Sequence, residues 1–197
     1  MSFELLRQTD VMPWLGVLLL FVLACIAAEG LVQTFVLRQP YDWRACAASL
    51  GDAVGRRAVD ALGLSIAAPV LAFAHAHRLQ TLELSTPLAV AVLFVGQEFC
   101  YYWYHRAAHR VRWFWCTHSI HHTPNQLNLS AAYRFGWTGK LTGTLGFFLL
   151  PPLLGLPPRV VLVLFTLNLL YQFWIHATWI PKLGPLEWVF NTPSAHR

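Results

Sequence analysis

The chain has 197 residues, of which 56% are apolar and only 12% charged, against roughly 45–50% and about 25% in an ordinary soluble domain. That length suits one domain, and that balance leaves too little polar surface for a soluble globule, so an integral membrane protein is expected, with nine Trp available for its interfaces. The net charge of +5 does not point to nucleic acid, because the basic residues are scattered singly or in pairs between apolar runs; Cys25, Cys46, Cys100 and Cys116 show no CxxC spacing and read as packing residues or free thiols.

In chain order, the run Val11 to Val36 is too long for a cleaved signal peptide. As a helix it would extend about 39 Å, enough to cross a hydrocarbon core of roughly 30 Å with some tilt. Pro40 ends it, and a polar loop carrying Arg38, Arg44, Arg56 and Arg57 is expected to follow. A second apolar span then runs from Val59 to Ala74, interrupted by Pro69. Pro87 suits the first turn of a third helix, which continues through Tyr104 into the polar stretch His105 to Arg112 without a breaker. Leu141 to Leu154 and Val160 to Ile175, separated by Pro151, Pro152, Pro157 and Pro158, predict a helical hairpin whose first arm is short enough to be re-entrant.

These elements add up to an all-α integral membrane protein of about four transmembrane or re-entrant helices with a histidine-rich helical cap. A single membrane domain covers 1–197: first spans in 11–104, histidine clusters in 105–140, the hairpin in 141–176 and the start of a third histidine motif in 177–197. Eleven of the fourteen Lys and Arg fall on one side of that topology, and Arg7, Arg78 and Arg159 on the other, which places the histidine clusters on the cytoplasmic side of a multi-pass protein.

Five of the nine histidines lie between His105 and His122, as HxxxH (His105, His109) and HxxHH (His118, His121, His122). At 100° per residue each group presents its imidazoles on one helical face, an arrangement that suits metal ligation. The HExxH glutamate of a zinc protease is absent from both motifs, which favours a redox metal. Asn168, Gln172 and His176 form a polar stripe in the last apolar helix, so His176 is a further candidate ligand, or a satisfied core histidine, and Gln172 could support a ligand from behind. Glu98 lies on one stripe with Tyr102, His105 and His109; it either orients a ligand and offsets metal charge or pairs with an arginine. Asn128-Leu-Ser130 has the form of a glycosylation acceptor, but its cytoplasmic placement and position beside the second cluster favour a supporting role for Asn128. His75 and His77 fit neither motif.

The strings HRAAH, HSIHH and NTPSAHR, in that order among apolar spans, resemble the fatty acid hydroxylase and sterol desaturase superfamily over roughly Glu98 to Arg197. EFCYYWYHRAAH, NLSAAYR, NLLYQFWIH and LGPLEWVFNTPSAHR most resemble its alkylglycerol monooxygenase branch. The resemblance implies a di-iron centre ligated by His105, His109, His118, His121, His122 and His196, with His176 as a further ligand, that uses dioxygen to hydroxylate or desaturate a lipid of the bilayer: an ether lipid, a fatty acyl chain or a sterol. The family's last motif is HxxHH, and His196 would be its first member, so the chain is expected to continue past Arg197 in a longer protein. Electrons are expected from a separate reductase or, for this branch, from tetrahydrobiopterin, since no dinucleotide or haem motif is present. Tyr171, Phe173, Trp174 and Trp188 would line an apolar slot or form a membrane belt, with Asn128 or Arg134 at a polar head. The rival readings are a histidine-rich membrane metal transporter or sensor, and an inactive relative.

Overall fold

The computed structural model describes residues 12–62, 66–81 and 87–197. The expected Arg7, the first residue of the run at Val11, and 63–65 within the second run lie outside them. Among the described residues every regular element is helical: α1 (Met12–Leu31), continued by a π-helical turn (Val32–Val36), α2 (Trp43–Ala61), α3 (Ala67–Ala76), α4 (Pro87–Arg110), α5 (Arg112–His118), α6 (Leu150–Leu153), α7 (Pro158–Trp174) and α8 (Pro193–His196). Short 3-10 turns occupy Leu129–Tyr133, Gly139–Leu141, Thr144–Phe148 and Gly184–Trp188.

One helix among the described residues, Trp14–Val36, is long and apolar enough to cross a bilayer. It is apolar all round but buries one stripe, Val22, Ile26 and Glu29, while Trp14, Leu20, Phe21 and Phe35 face outward. Val22 and Ile26 pack with Tyr41 and Cys46 of the following segment, Leu129 and Ala132 of the first 3-10 turn, and Phe173 and Ala177 at the end of α7. A second cluster, Leu156, Val160, Val161 and Leu164, closes against Leu93 of α4.

Three expected elements differ. The segment expected as a polar loop is largely the 19-residue helix α2. Asp42 caps it by accepting from the Ala45 N–H, and Asp52 pairs with Arg56 one turn on at 3.4 Å, both of which favour a helix. The second apolar run is not one span: α2 ends at Ala61 and α3 is a separate helix of 10 residues, about 15 Å long and half a hydrocarbon core. The first arm of the hairpin is a string of short turns ending in the four-residue α6, because Gly143 adopts φ +85° and Pro151 and Pro152 follow. α7 forms as expected, with Pro158 as its first residue.

α2 is the platform beneath the segment 129–137. Arg56 donates to the Tyr133 carbonyl at 2.7 Å, and Asp52 Oδ2 accepts from the Phe135 and Gly136 N–H groups at 3.0 and 3.2 Å. Gln126 bridges the α1–α2 connection, accepting from the Asp42 N–H and donating to the Pro40 carbonyl, each at 2.8 Å.

Candidate metal centre

His105 and His109 lie one turn apart on α4, and their Nε2 atoms approach to 3.1 Å. Val111 then leaves the helix, with φ −104° and ψ 118°. This extended residue folds α5 back, so that His118 brings its Nε2 to 3.3 Å from that of His109. α5 ends there. Two tight turns follow, His121 N–H to the His118 carbonyl and His122 N–H to that of Ser119. His122 returns to the first group, its Nε2 at 3.2 Å from that of His118, while His121 faces His176 at 3.3 Å. The expectation that His118, His121 and His122 share one helix face is therefore corrected: the helix stops at the first of them, and the motif serves two groups.

The first group is His105, His109 and His118, joined by His122. The second is His121, His176 and His196, whose rings come from a turn, the turn just after α7, and α8. Within each trio the potential ligand atoms lie within 4.8 Å of one another. Between the groups lies a cavity of about 10 Å³ whose walls include Tyr101, His105, His118, His121, His176 and His196.

The donor chemistry fits a cation. Two nitrogens held at about 2.0–2.1 Å from one ion stand about 2.9–3.4 Å apart at right or tetrahedral angles, and the observed separations are 3.1–3.3 Å. His121 Nδ1 lies 3.1 Å from the Arg134 carbonyl and His176 Nδ1 2.7 Å from that of Gln172. A carbonyl only accepts, so both Nδ1 atoms carry the proton and both Nε2 lone pairs face the group. Burial, and then repulsion between neighbouring rings, pushes His118 down to about 2, His105 and His176 to about 3 and His121 to about 4; His122 and His196 are lowered as well, again first by burial. At neutral pH the rings are uncharged, the form that binds a metal.

The three supporting residues expected from the sequence have distinct fates. Gln172 does hold a ring from behind, through its backbone carbonyl, which any residue would supply. Glu98 accepts from Asn168 Nδ2 at 2.8 and 2.7 Å on its two oxygens, tying α4 to α7 and pairing with neither a histidine nor an arginine there. Asn128 is 1% exposed and accepts from the Ser130 N–H and hydroxyl. That burial leaves no room for a glycan, and the side chain caps the 3-10 turn. Arg134 is buried too, donating to Ser49 Oγ, Thr123 Oγ1 and the Ala45 carbonyl, so neither residue is placed as a receptor for a polar head. The expected aromatic slot is not assembled either: Phe173 packs in the core, Trp188 is 87% exposed and Tyr171 donates to the Asn191 carbonyl at 2.6 Å.

What the motifs do not reveal is the surround. Phe135 stacks on His121 with ring planes 8° apart, Trp115 lies 5.5 Å from His122 and Tyr101 stacks on His105 at 5.8 Å. Tyr101 lies four residues before His105 and Trp115 seven before His122, a weak signal in an aromatic-rich chain, and Phe135, fourteen residues after His121, has none. Gly136, at φ +73° with its Cβ position 2.7 Å from Ile120, turns the chain just after the two residues that hold and stack on His121. Thr192 caps α8 by accepting from the Ala195 N–H, and Glu187 accepts from the Leu183 N–H and the Thr192 and Ser194 hydroxyls, fixing the turn that presents His196.

The fatty acid hydroxylase model matches residues 90–197, the segment that carries all seven of these histidines. Alkylglycerol monooxygenase of Xenopus tropicalis is 42% identical over 121 residues, 61% of this chain and 27% of that protein. The human alkylglycerol monooxygenase is 44% identical over the same shares, and that of Caenorhabditis elegans 37% identical over 51% of this chain and 20% of its own length. The match thus spans about a quarter of the length of the curated relatives. No solved structure matches the chain.

Proposed function

Because the chain belongs to the fatty acid hydroxylase family, we propose that it forms the metal-binding core of a membrane-bound lipid monooxygenase, in which His105, His109, His118 and His122 hold one iron and His121, His176 and His196 hold a second. The observation that carries this reading is the convergence of seven imidazoles from α4, α5, the turn after it, the turn after α7 and α8 into two adjacent groups, with neighbouring ring nitrogens 3.1–3.3 Å apart and five of the rings lining one small cavity. A bound iron pair would supply the activation of dioxygen needed to oxidise an unactivated C–H bond, which acid–base side chains cannot do. The protein's own part is to keep the rings neutral and aimed, to keep the cavity small enough to limit water, and to wall it with Tyr101, Tyr104 and Phe135.

The substrate is a lipid drawn from the bilayer, and an alkylglycerol ether lipid is the first class to test, given what the relatives are named for. α1 anchors the protein in the membrane, the histidine groups lie on the cytoplasmic side, and electrons come from a separate reductase or a pterin. The full-length protein, purified in detergent or nanodiscs and supplied with iron, dioxygen and reduced donor, is assayed by mass spectrometry against an alkylglycerol, a free fatty acid and a sterol. Consumption of the ether lipid is expected. Oxidation of a fatty acid or sterol alone would overturn the substrate class, and a fully active preparation without metal would overturn the centre.

A further inference from the structure

Glu29 lies outside the family-matched segment, in a helix that is otherwise apolar from Trp14 to its end, and it is only 6% exposed. A carboxylate in such a helix is costly unless something uses it. Its Oε2 accepts from the Leu129 N–H at 2.8 Å and from the Tyr41 hydroxyl at 3.4 Å. Leu129 opens the 3-10 turn Leu129–Tyr133, and the residue that follows this turn, Arg134, is the one whose carbonyl holds the His121 ring at 3.1 Å. The turn transmits position without a loose joint: Asn128 caps its start, the Ala131 N–H bonds the Asn128 carbonyl at 3.0 Å and the Arg134 N–H bonds the Ala131 carbonyl at 3.1 Å. α2 grips its far end through the Arg134 guanidinium on Ser49 and the Ala45 carbonyl and through Arg56 on the Tyr133 carbonyl.

We propose that Glu29 is a positioning residue for the second histidine group: it fixes the start of the 3-10 turn whose end sets the orientation and tautomer of His121. The inference rests on the reading of the histidines as metal ligands. It assigns a task to α1 beyond anchorage, since the anchor helix sets the height of the turn against the metal centre. The bonded path from Glu29 ends on His121, whereas His105 and His109 sit on α4, which it does not enter. Removing the carboxylate therefore acts on one metal position before the other.

The test is metal stoichiometry and the Co²⁺ ligand-field spectrum of the full-length protein in detergent. The wild type is expected to take up two ions. Glu29→Ala is expected to bind the second ion about 10–100-fold more weakly, the usual cost of removing a group that orients a ligand, and so to carry one ion at limiting Co²⁺. Adding His105→Ala then removes the remaining ion, while adding His176→Ala does not. Glu29→Gln, whose amide oxygen still accepts from the Leu129 N–H, is expected to restore the second ion. Glu29→Leu keeps the side-chain bulk but offers no oxygen to the Leu129 N–H; it replaces Glu29→Ala if that variant does not fold, with the same loss expected. Two equally bound ions in folded Glu29→Ala, or an equal weakening of both, would overturn the positioning role and leave the proposed function standing. A wild type that binds no metal would overturn both.

Discussion

The two histidine groups are built on different principles. In the first, His105 and His109 ride a continuous helix and face each other by virtue of i, i+4 spacing alone, and His105 Nδ1 is buried with no hydrogen-bond partner. In the second, no two rings share a helix, and two of the three are held from behind by backbone carbonyls. Regular secondary structure aims the first pair of rings without further help. Rings gathered from separate segments need main-chain props, and the segment 129–137, α2 and α8 supply them. His121 and His176 are thus fixed in rotation and tautomer without any ion, whereas the first group has no such main-chain hold on His105.

The largest expected effects come from deleting a ring in either group. His118→Ala and His176→Ala should each lower lipid oxidation by about 100-fold or more, since a directly coordinating group is lost and outer partners alone already cost 10–100-fold. Iron content should fall from two to one per chain in both, measured on folded, membrane-inserted protein. Full activity in either variant would remove that group from the centre and the comparison with it.

A change of pH should act on both groups at once, by a smaller amount for each ring. The rings of His118, His105, His176 and His121 have folded values of about 2, 3, 3 and 4, below the ordinary 6.5 of an unfolded chain. The unfolded state therefore binds more protons below that value, and the stability of the metal-free protein, fully present above about 6.5, is lost as pH falls toward 4. At pH 5 each such ring costs about 2 kcal/mol. Melting of the metal-free protein in detergent should drop steadily from pH 7.5 to 5, and a flat profile would show that the rings are not buried neutral. Bound metal should raise the whole curve and keep its slope, because ligated nitrogens take no proton either while the unfolded chain still gains protons below about 6.5.

Smaller again is the effect of loosening a prop. Glu187 gathers the Leu183 N–H and the Thr192 and Ser194 hydroxyls around the turn before His196. Glu187→Ala should weaken the second ion by several-fold and leave the first unchanged. Equal loss at both positions would contradict the separate construction of the groups.

Much of this centre is legible in the sequence, and the limits are physical. HxxxH and HxxHH announce a gathering of imidazoles because side-chain spacing is written directly in residue order. The division of His118, His121 and His122 between two groups is not, since it depends on α5 ending at His118 after the fold-back at Val111. Nor are the carbonyls of Arg134 and Gln172, because a main-chain prop has no side-chain signature. α2 was within reach: Asp42 as a cap and Asp52–Arg56 at i, i+4 are helix signals, but the same basic residues also read as markers of a cytoplasmic loop. Glu29 carried the one cue available, an acid inside an apolar run, and its partner, the Leu129 N–H, lies a hundred residues away.

The smallest expected effect belongs to Glu98, and it separates two uses of a carboxylate beneath a metal centre. If Glu98 offset metal charge or oriented a ring, Glu98→Gln would cost metal. The structure instead spends both its oxygens on Asn168 Nδ2, a bond between α4 and α7 that a glutamine carbonyl can accept equally well. Glu98→Gln is therefore expected to keep two irons and to change the oxidation rate by less than about threefold, an energy difference well under the roughly 1.4 kcal/mol that corresponds to tenfold. Glu98→Leu strands the Asn168 amide in an apolar interior at a cost of about 1–3 kcal/mol, so it should lower the melting temperature while the metal count stays at two. Loss of an iron from Glu98→Gln would mean that the charge itself is needed, and would make Glu98 part of the first group's surround instead of a strut between α4 and α7.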